Sequence, residues 1–286
     1  MRVGRVAELW RHPVKSLGGE RIERAEVHAT AGIPGDRSWA LRDEREDELR
    51  SAKKIPALLE LSARCLAEPA GDEVPPIEIR LRDGTRVRGD DPRASALVSR
   101  DVGRALRLFA RRPASDLAHY RRARPVQDFA AEIRAASELL PDEPVPPLPD
   151  VVGELAVYAT PPGTYFDAFS LHLLTTASLA ELARRAEGSR IDVRRFRPNV
   201  VIDTSPVAGG FVEAVWAGRE VRIGEARAHV VMPMMRCGMT THAQGELPKD
   251  PRIMRALVRE AGMNLGVGAM VTRPGRVAGG DAVELI

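Results

Sequence analysis

Alternation of apolar and charged side chains predicts that the first third of the chain is built mainly from β-strands. The alternation is loose over residues 21–29 and clear over residues 75–90, where Asp83-Gly84 supplies the turn of a predicted β-hairpin. Residues 93–106 instead space their apolar positions as a short helix does, and another strand is predicted at residues 107–110.

The last third predicts a mixture of helices and strands. One helix is predicted at residues 176–187, where Ser178 and Glu181 have the spacing of a capping box. A second helix is predicted from Asp250-Pro251 to about residue 260. Strands are predicted at residues 199–203, 220–223 and 226–232, with two more within residues 270–286. Together with the first third, this pattern predicts a β-rich α+β fold.

Proline and arginine dominate the middle of the chain, which we interpret as a boundary between two domains. The run PDEPVPPLPD at residues 141–150 is typical of extended linkers or surface loops. Residues 126–140 inside this segment have a helix-like pattern that could dock on either side. The predicted organisation is an N-terminal domain at residues 1–112, a linker at residues 113–150 and a second domain at residues 151–286.

The composition is that of a globular protein, and it argues against two classes of partner. Of the 286 residues, 44% are hydrophobic and 29% are charged, and acidic residues are interspersed so widely that the formal net charge is only +3. That balance argues against a nucleic-acid-binding protein. No apolar run is long enough for a signal peptide or a membrane span. We therefore expect a cytoplasmic protein with no nucleic-acid or membrane partner.

The segment MPMMRCGMTT at residues 232–241 contains the most informative residue of the chain, Cys237. Arg236 precedes the cysteine, and a positive neighbour favours the thiolate, which is the form that attacks electrophiles and binds metals. Gly238 would let the backbone approach a bulky ligand, and the hydroxyls of Thr240 and Thr241 follow. The alternative interpretation is a buried structural cysteine, and this segment by itself does not decide between the two.

Three further segments place cations or polar groups beside turns. Lys15-Ser16 could present an ammonium group and a hydroxyl to a phosphate, and Arg37 could bind an oxyanion with both arms of its guanidinium. Arg197 and Asn199 flank a proline, whose fixed φ would hold the two side chains in a set relation. The alternatives are an ordinary loop lysine, a local ion pair between Arg37 and the preceding aspartate, and a solvated basic loop.

Taken in order, these segments resemble the MOSC superfamily, in the form that has an N-terminal MOSC β-barrel domain. Its members include the mitochondrial amidoxime reducing component and bacterial relatives. The resemblance covers nearly the whole chain apart from the proline-rich middle, and it implies an N-terminal barrel-type domain followed by a MOSC β-barrel with flanking helices. The motifs that carry it are LWRHPVKSLGGE, GIPGDRSWAL, LLTTASL, FRPNVVID, RCGMTT and NLGVGAMVTRPGRVAGGDAVEL.

The resemblance also implies a bound molybdenum cofactor, which is a molybdopterin. Cys237 would be the metal ligand, and Asp167 would lie beside the metal as a catalytic residue. The cofactor would be bound by residues from both domains, which in this sequence are Lys15, Ser16, Arg37, Arg197, Asn199 and Arg236.

The activity that the resemblance implies is reduction of small N-hydroxylated compounds, such as amidoximes or hydroxylamines. Cys65 and Cys237 are the only cysteines, too few for an iron–sulfur cluster held by four thiolates. We therefore expect electrons from a separate reductase or ferredoxin-like protein. Two alternatives stay open: Cys237 could carry a persulfide and pass sulfur to a metal centre, or the chain could bind the cofactor without catalysing a reaction.

Overall fold

The computed structural model describes residues 1–146, 152–205 and 209–286, and it has the expected β-rich α+β fold. None of the helices in these ranges is long and apolar enough to cross a membrane. The α-helices are α1 (Ala94–Val102), α2 (Leu117–Tyr120), α3 (Phe129–Ala136), α4 (Val152–Val157), α5 (Thr176–Arg185) and α6 (Arg252–Ala261). The strands are β1 (Arg2–Arg11), β2 (Glu20–Ile22), β3 (Arg24–Val27), β4 (Trp39–Asp43), β5 (Glu48–Arg50), β6 (Ser62–Cys65), β7 (Ile77–Arg80), β8 (Arg86–Arg88), β9 (Leu106–Ala110), β10 (Leu171–Thr175), β11 (Val200–Asp203), β12 (Glu220–Ile223), β13 (Ala226–Met235), β14 (Asn264–Arg273), β15 (Gly275–Ala278) and β16 (Ala282–Leu285).

Seven strands form a closed barrel. Around the barrel the order is β1, β16, β12, β13, β14, β10 and β11, and β11 pairs back onto β1. Strand β1 is antiparallel to both of its neighbours, with Leu9 opposite Val200 on β11 and Arg5 opposite Ala282 on β16. Val6 and Leu9 belong to the barrel's hydrophobic core, and closure removes the exposed strand edges that an open sheet would leave.

The barrel crosses the predicted domain boundary. Six of its strands come from residues 171–285, but β1 comes from residues 2–11, which we assigned to the N-terminal domain. A two-stranded ribbon crosses the boundary as well, because β3 pairs with β15 and places Val27 opposite Gly275. The ranges 1–112 and 151–286 thus both contribute strands to one sheet, and their division into two domains stays a prediction.

The rest of the N-terminal half contains two three-stranded antiparallel sheets, β5-β4-β9 and β6-β7-β8, together with α1. Leu41, Leu58 and Ile79 are fully buried in the hydrophobic core that these elements share. The predicted hairpin is confirmed: β7 pairs with β8, and in the turn Oδ1 of Asp83 accepts a hydrogen bond from the backbone N–H of Thr85 at 2.8 Å.

The proline- and arginine-rich segment is not an extended linker over its described part. Helices α2 and α3 form within residues 113–146, so the helix-like pattern is confirmed over Phe129–Ala136. Tyr120 is fully buried, with its ring centroid 5.9 Å from that of Tyr165, and Ile133 packs against the core that includes α5 and α6. Apolar burial thus outweighs the proline content here. The predicted loop residues 147–150 lie outside the described residues.

The helix predicted from residue 176 begins at Thr176, but its predicted capping box is wrong. The cap of α5 is Thr175, whose side-chain oxygen accepts a hydrogen bond from the backbone N–H of Ser178 at 3.1 Å. Ser178 is therefore inside the helix, where its hydroxyl donates to the buried carboxylate of Glu213. A distant partner has replaced the local capping box that the sequence indicated.

Candidate functional site

Cys237 lies where β13 leaves the barrel. The strand ends at Met235, and Cys237 then caps a short 3-10 turn, Gly238–Thr241. The carbonyl oxygen of Cys237 accepts hydrogen bonds from the backbone N–H and from the hydroxyl of Thr240, each at 3.1 Å. The cysteine side chain is half-buried and lines a cavity, so the alternative of a fully buried structural cysteine does not apply.

The residues after Cys237 support the turn rather than a ligand. A Cβ atom on Gly238 would lie 2.7 Å from the carbonyl oxygen of Ala136, so this glycine lets the end of α3 approach closely. The hydroxyls of Thr240 and Thr241 both donate to backbone carbonyl oxygens three residues back. We therefore correct the interpretation of Gly238 as an opening for a ligand, because the protein's own helix occupies that side.

Lys15 joins the two halves of the chain. Its ammonium group donates to the carbonyl oxygen of Tyr165 at 3.0 Å and to Oδ1 of Asp167 at 2.8 Å. Burial lowers the pKa of Lys15, and the charge of Asp167 opposes that shift. Asp167 is 65% exposed where it faces the cavity. Partial desolvation would raise the pKa of Asp167, but Lys15 and Lys53 hold it well below its usual range, so this carboxylate stays ionised at neutral pH.

A buried carboxylate, Asp36, organises the residues behind the cavity. Its oxygens accept hydrogen bonds from the Arg37 guanidinium, from the backbone N–H of His12 at 2.6 Å and from the side-chain amide of Asn199 at 3.0 Å. Burial would raise the pKa of Asp36, but Arg37 and the bonding to His12 hold it below its usual range. The local Asp36–Arg37 ion pair is thus present, while the other arm of Arg37 donates to the carbonyl oxygen of Arg197 at 3.2 Å.

Two of the predicted cofactor-binding residues are engaged by the protein itself. The hydroxyl oxygen of Ser16 accepts a hydrogen bond from the backbone N–H of Ala52 at 2.9 Å. The amide of Asn199 donates to Asp36, and its oxygen accepts from the backbone N–H of His172 at 3.0 Å. Both side chains are buried. We therefore expect Ser16 and Asn199 to fix the shape of the site rather than to contact a ligand through these groups.

Arg197 and Arg236 each have a buried N–H group for which the described parts of the chain offer no hydrogen-bond acceptor. Arg197 Nη1 donates to the carbonyl oxygen of Leu17, and Arg236 Nη2 donates to that of Phe196 at 2.7 Å. Arg197 Nη2 and Arg236 Nε have no partner. Burial, helped by the charge of Arg37, lowers the pKa of Arg197 to about 9, and burial lowers that of Arg236 to about 10. Buried donors of this kind call for an acceptor from outside the protein.

Three of the predicted residues share an uncommon backbone conformation. Ser16, Arg37 and Arg197 have φ values of 73°, 45° and 54°, in the left-handed region that favours glycine. Such conformations cost on the order of 1–3 kcal/mol each, and they concentrate at binding and catalytic sites. The fold therefore holds these three residues at positive φ, although residues other than glycine prefer negative φ.

One cation of this site, Lys53, was not predicted from the sequence. The hydrogen bond between Ser16 and Ala52, together with an ion pair at 3.4 Å between Lys54 and Glu132 on α3, fixes the turn that presents Lys53 to the cavity. The pKa of Lys53 is raised, first by Cys237 when that residue is ionised and also by Asp167. A lysine in an unremarkable loop forms no motif, so only tertiary structure reveals its position.

These groups converge on one cavity of about 270 Å³. Arg37 and Arg197 do not line it, but Arg37 is near enough to influence the pKa values of Asp167 and Arg236. Among the residues that line the cavity, cations outnumber carboxylates six to three, and this excess suits a ligand with several negative charges. The cations are Lys15, Arg50, Lys53, Lys54, Arg122 and Arg236, and the carboxylates are Glu48, Glu132 and Asp167. The polar end of the cavity is formed by Lys15, Lys53, Asp167, Arg236 and Cys237.

We predict that buried His12 makes the fold sensitive to mild acid. Burial, with Arg197 nearby, lowers the pKa of His12 from 6.5 to about 3. Between these values only the unfolded chain binds the proton, so the free energy of unfolding falls as the pH falls from 6.5 towards 3, by up to about 1.4 kcal/mol per pH unit. Melting temperatures measured over this range should decline, and less steeply in His12→Gln. The exposed-residue control His229→Gln should keep the wild-type slope, and an unchanged slope in His12→Gln would contradict the assignment.

Two family models match this chain. The model described as the MOSC N-terminal beta barrel domain matches residues 3–95, and the model described as the MOSC domain matches residues 162–284. Together they cover well over half of the chain. The first contains Lys15, Ser16 and Arg37, and the second contains Asp167 and Cys237.

Relatives with similar sequences include three mitochondrial proteins. Amidoxime-reducing component 1 is 26% identical over 264 residues in Mus musculus and 27% identical over 260 residues in Homo sapiens, and each comparison covers 84% of this chain and 66% of the relative. Amidoxime reducing component 2 of Bos taurus is 28% identical over 255 residues, and the comparison covers 84% of this chain and 67% of the relative. This chain thus spans just under two thirds of the length of the first two relatives.

Among solved structures, the YuaD protein of Bacillus subtilis is similar to this chain. The similarity covers 99% of this chain and 94% of the YuaD chain, with a TM-score of 0.45 and 15% identity.

Proposed function

The chain belongs to the MOSC superfamily, in the form with an N-terminal MOSC β-barrel domain, and on that premise we propose that it is a molybdenum-cofactor-binding oxidoreductase. Its substrates would be N-hydroxylated compounds, and its electrons would come from a separate protein. Amidoxime-reducing components at 26–28% identity support this class of reaction. The observation that carries the proposal is that Cys237 opens onto a cavity where cations from both halves of the chain converge.

The residues present suit an anionic cofactor. Arg236 Nε would donate to its phosphate or pterin oxygens, which would satisfy a donor that is otherwise buried without a partner. Arg37 and Arg197 would add positive charge from behind the cavity. The described residues contain no group of three or more His, Cys, Asp or Glu side chains that could hold a metal. A metal on the soft thiolate of Cys237 would therefore take its other ligands from the cofactor.

The residues at the polar end of the cavity then have separate roles. When bound, the molybdenum cofactor would supply the two-electron redox chemistry. Cys237 would hold it through a thiolate, with Arg236 and Lys53 as neighbouring positive charges. Asp167 is kept ionised by Lys15 and Lys53, so it would accept a hydrogen bond from the hydroxyl of an incoming N–OH group and orient it. It would not donate a proton, because its pKa lies far below neutrality.

Elemental analysis tests this proposal directly. Protein purified from a host that synthesises the cofactor should contain molybdenum in a one-to-one ratio with the chain. It should also reduce N-hydroxylated compounds when an artificial electron donor is supplied. Molybdenum-free protein with a persulfide on Cys237 would contradict the proposal and favour sulfur transfer. Molybdenum-loaded protein that reduces no N-hydroxylated or N-oxide compound would favour a role in cofactor binding alone.

We predict that Lys53→Gln lowers kcat/KM for an N-hydroxylated substrate about tenfold. The substitution removes a positive charge beside Cys237 and Asp167, and losing a charge interaction of about 1.4 kcal/mol corresponds to about tenfold. Folding should be unaffected because the side chain is exposed. Steady-state kinetics should show near wild-type values for Lys249→Gln, whose ammonium group pairs with Glu138 outside the cavity. Equal kcat/KM values in the two variants would argue against the role of Lys53.

A further inference from the structure

One wall of the same cavity is apolar, and the proposed redox chemistry makes no use of it. Lys15, Lys53, Asp167, Arg236 and Cys237 form the polar end, and two ion-paired groups also line the cavity: Lys54 with Glu132, and Glu48 with Arg50 and Arg122. The remaining lining includes side chains from three separate segments of the chain. We call these residues the apolar wall: Phe129 and Ile133 on α3, Phe169 before β10, and Met232, Met234 and Met235 on β13.

Helix α3 contributes to the wall through one of its sides. Phe129, Ile133 and Ala136 recur at helical spacing, so they lie on the same side of the helix, and all three line the cavity. Ile133 also contacts the core that includes α5 and α6. Phe129 lines the cavity and belongs to none of the hydrophobic cores formed by the described residues.

Phe169 forms another part of the wall, and its position is fixed by Gly268. A Cβ atom on Gly268 would collide with the ring of Phe169, so the ring lies directly against the backbone of β14. Phe169, Met232 and Met234 are half-buried, and like Phe129 they lie outside the hydrophobic cores of the described chain. The wall thus presents apolar side chains to the cavity from α3, from β13 and from the segment before β10.

The chemistry of the wall selects its occupant. A molybdopterin is polar and anionic, and the cations that suit it lie at the polar end or behind it. Hydrocarbon is the group that gains most from leaving water for a surface of this kind. We propose that the apolar wall binds the hydrocarbon part of the substrate, which is therefore an N-hydroxylated compound with an alkyl or aryl body. Its N–OH group points to Asp167 and Lys53. This inference rests on the proposed function.

The methionines indicate how selective the wall is. Three of its six residues are methionines, whose side chains are flexible and polarisable and adapt to different partners. The wall should therefore discriminate by apolar area more than by the exact shape of the hydrocarbon.

The test uses the molybdenum-loaded full chain and a series of straight-chain alkyl amidoximes that differ by one methylene at a time. If each added methylene is buried against the wall, kcat/KM should rise about fourfold per methylene until the wall is covered. The unreactive amidines with the same alkyl chains provide a second readout, because their dissociation constants by calorimetry should follow the same trend. A wild-type series that is flat in both readouts would overturn the inference.

A matched pair of variants locates the effect. Phe129→Ser should lower kcat/KM for the longest compound about tenfold while changing the shortest less than about twofold, because only the longer chain reaches the ring. Leu140→Ser truncates a leucine that is 46% exposed on the same segment but outside the cavity, and it should keep the wild-type slope. An equal loss for every compound in Phe129→Ser would contradict the inference.

Two further results separate this inference from the proposed function. If no amidoxime is reduced but the amidines bind more tightly with chain length, and Phe129→Ser removes that trend, the proposed function fails and the wall is confirmed. If Phe129→Ser instead lowers the molybdenum content to the level of a cation variant such as Arg197→Ala, the wall serves the cofactor and the inference is overturned.

Discussion

Replacing Cys237 with alanine should abolish both cofactor retention and the reduction of N-hydroxylated compounds. Cys237 supplies the thiol at the polar end of the cavity, and the substitution would leave the metal of the proposed cofactor without its protein ligand. Losing a hydrogen-bonded neighbour of a metal ligand typically lowers affinity or activity about 10–100-fold, so loss of the ligand itself should exceed about 100-fold. Molybdenum analysis and steady-state kinetics on the same preparation measure both effects.

Cys65 provides the control for this experiment. It lies beside Arg11 and Glu20 in the N-terminal half, and burial raises its pKa to about 12, so it is a thiol at neutral pH. Cys65→Ser should keep the molybdenum content and the activity of the wild type. A Cys237→Ala protein that retains molybdenum and turns over normally would refute the role that we assign to Cys237.

The second large effect should come from Asp36→Asn, which removes the buried carboxylate behind the cavity. Arg37 would keep its charge and lose its partner, and breaking a buried ion pair in this way costs about 3–5 kcal/mol. Since 1 kcal/mol corresponds to about 2–4 °C in a protein approaching this size, the melting temperature should fall by about 10 °C. Molybdenum content should fall as well, because Arg37 and Asn199 lose the group that positions them.

Asp47→Asn is the matched surface control. Asp47 also binds an arginine, Arg42 at 2.9 Å, but its side chain is 84% exposed. Exposed ion pairs contribute only about 0–1 kcal/mol, so the melting temperature should change little. Similar melting temperatures for the two variants would show that Asp36 does not organise the site.

Acid should lower the stability of the fold by protonating Asp36, just as Asp36→Asn lowers it by removing the charge. The pKa of Asp36 in the folded chain is below that of an unfolded aspartate, which is about 3.9, so the unfolded chain binds the proton first as the pH falls. The stabilisation from Asp36 is complete above about pH 4 and is lost below it. Melting temperatures of Asp36→Asn should therefore depend less on pH below pH 4 than those of the wild type.

Local patterns were sufficient for much of the fold. The hairpin of β7 and β8 and the strand that leads to Cys237 were predictable because their burial alternates with a period of two. Strand β1 was not predicted, because register shifts between Val6 and Glu8 and between Arg2 and Gly4 interrupt that period. The segment containing α3 was assigned to a linker, because composition does not reveal that its apolar side faces the cavity and the core.

The candidate site was predictable in its members and less so in their roles. Lys15, Arg236 and Cys237 were identified from short motifs, and they line one cavity. Ser16 and Asn199 share those motifs, yet their side chains bind Ala52, Asp36 and the backbone of residue 172. Lys53 has no motif, and its position depends on contacts with residues distant in sequence. A motif thus marks where a site lies, whereas the contacts decide which side chains are free to act.

The position of β1 between β11 and β16 constrains how the chain can reach its native state. The barrel closes only when β1 (residues 2–11) pairs with β16 (residues 282–285). Contacts between segments so distant in sequence form slowly. During synthesis the first strand would emerge from the ribosome long before its last partner. A fragment cut to residues 162–284 would keep β11 with an uncovered edge, and it should self-associate rather than fold.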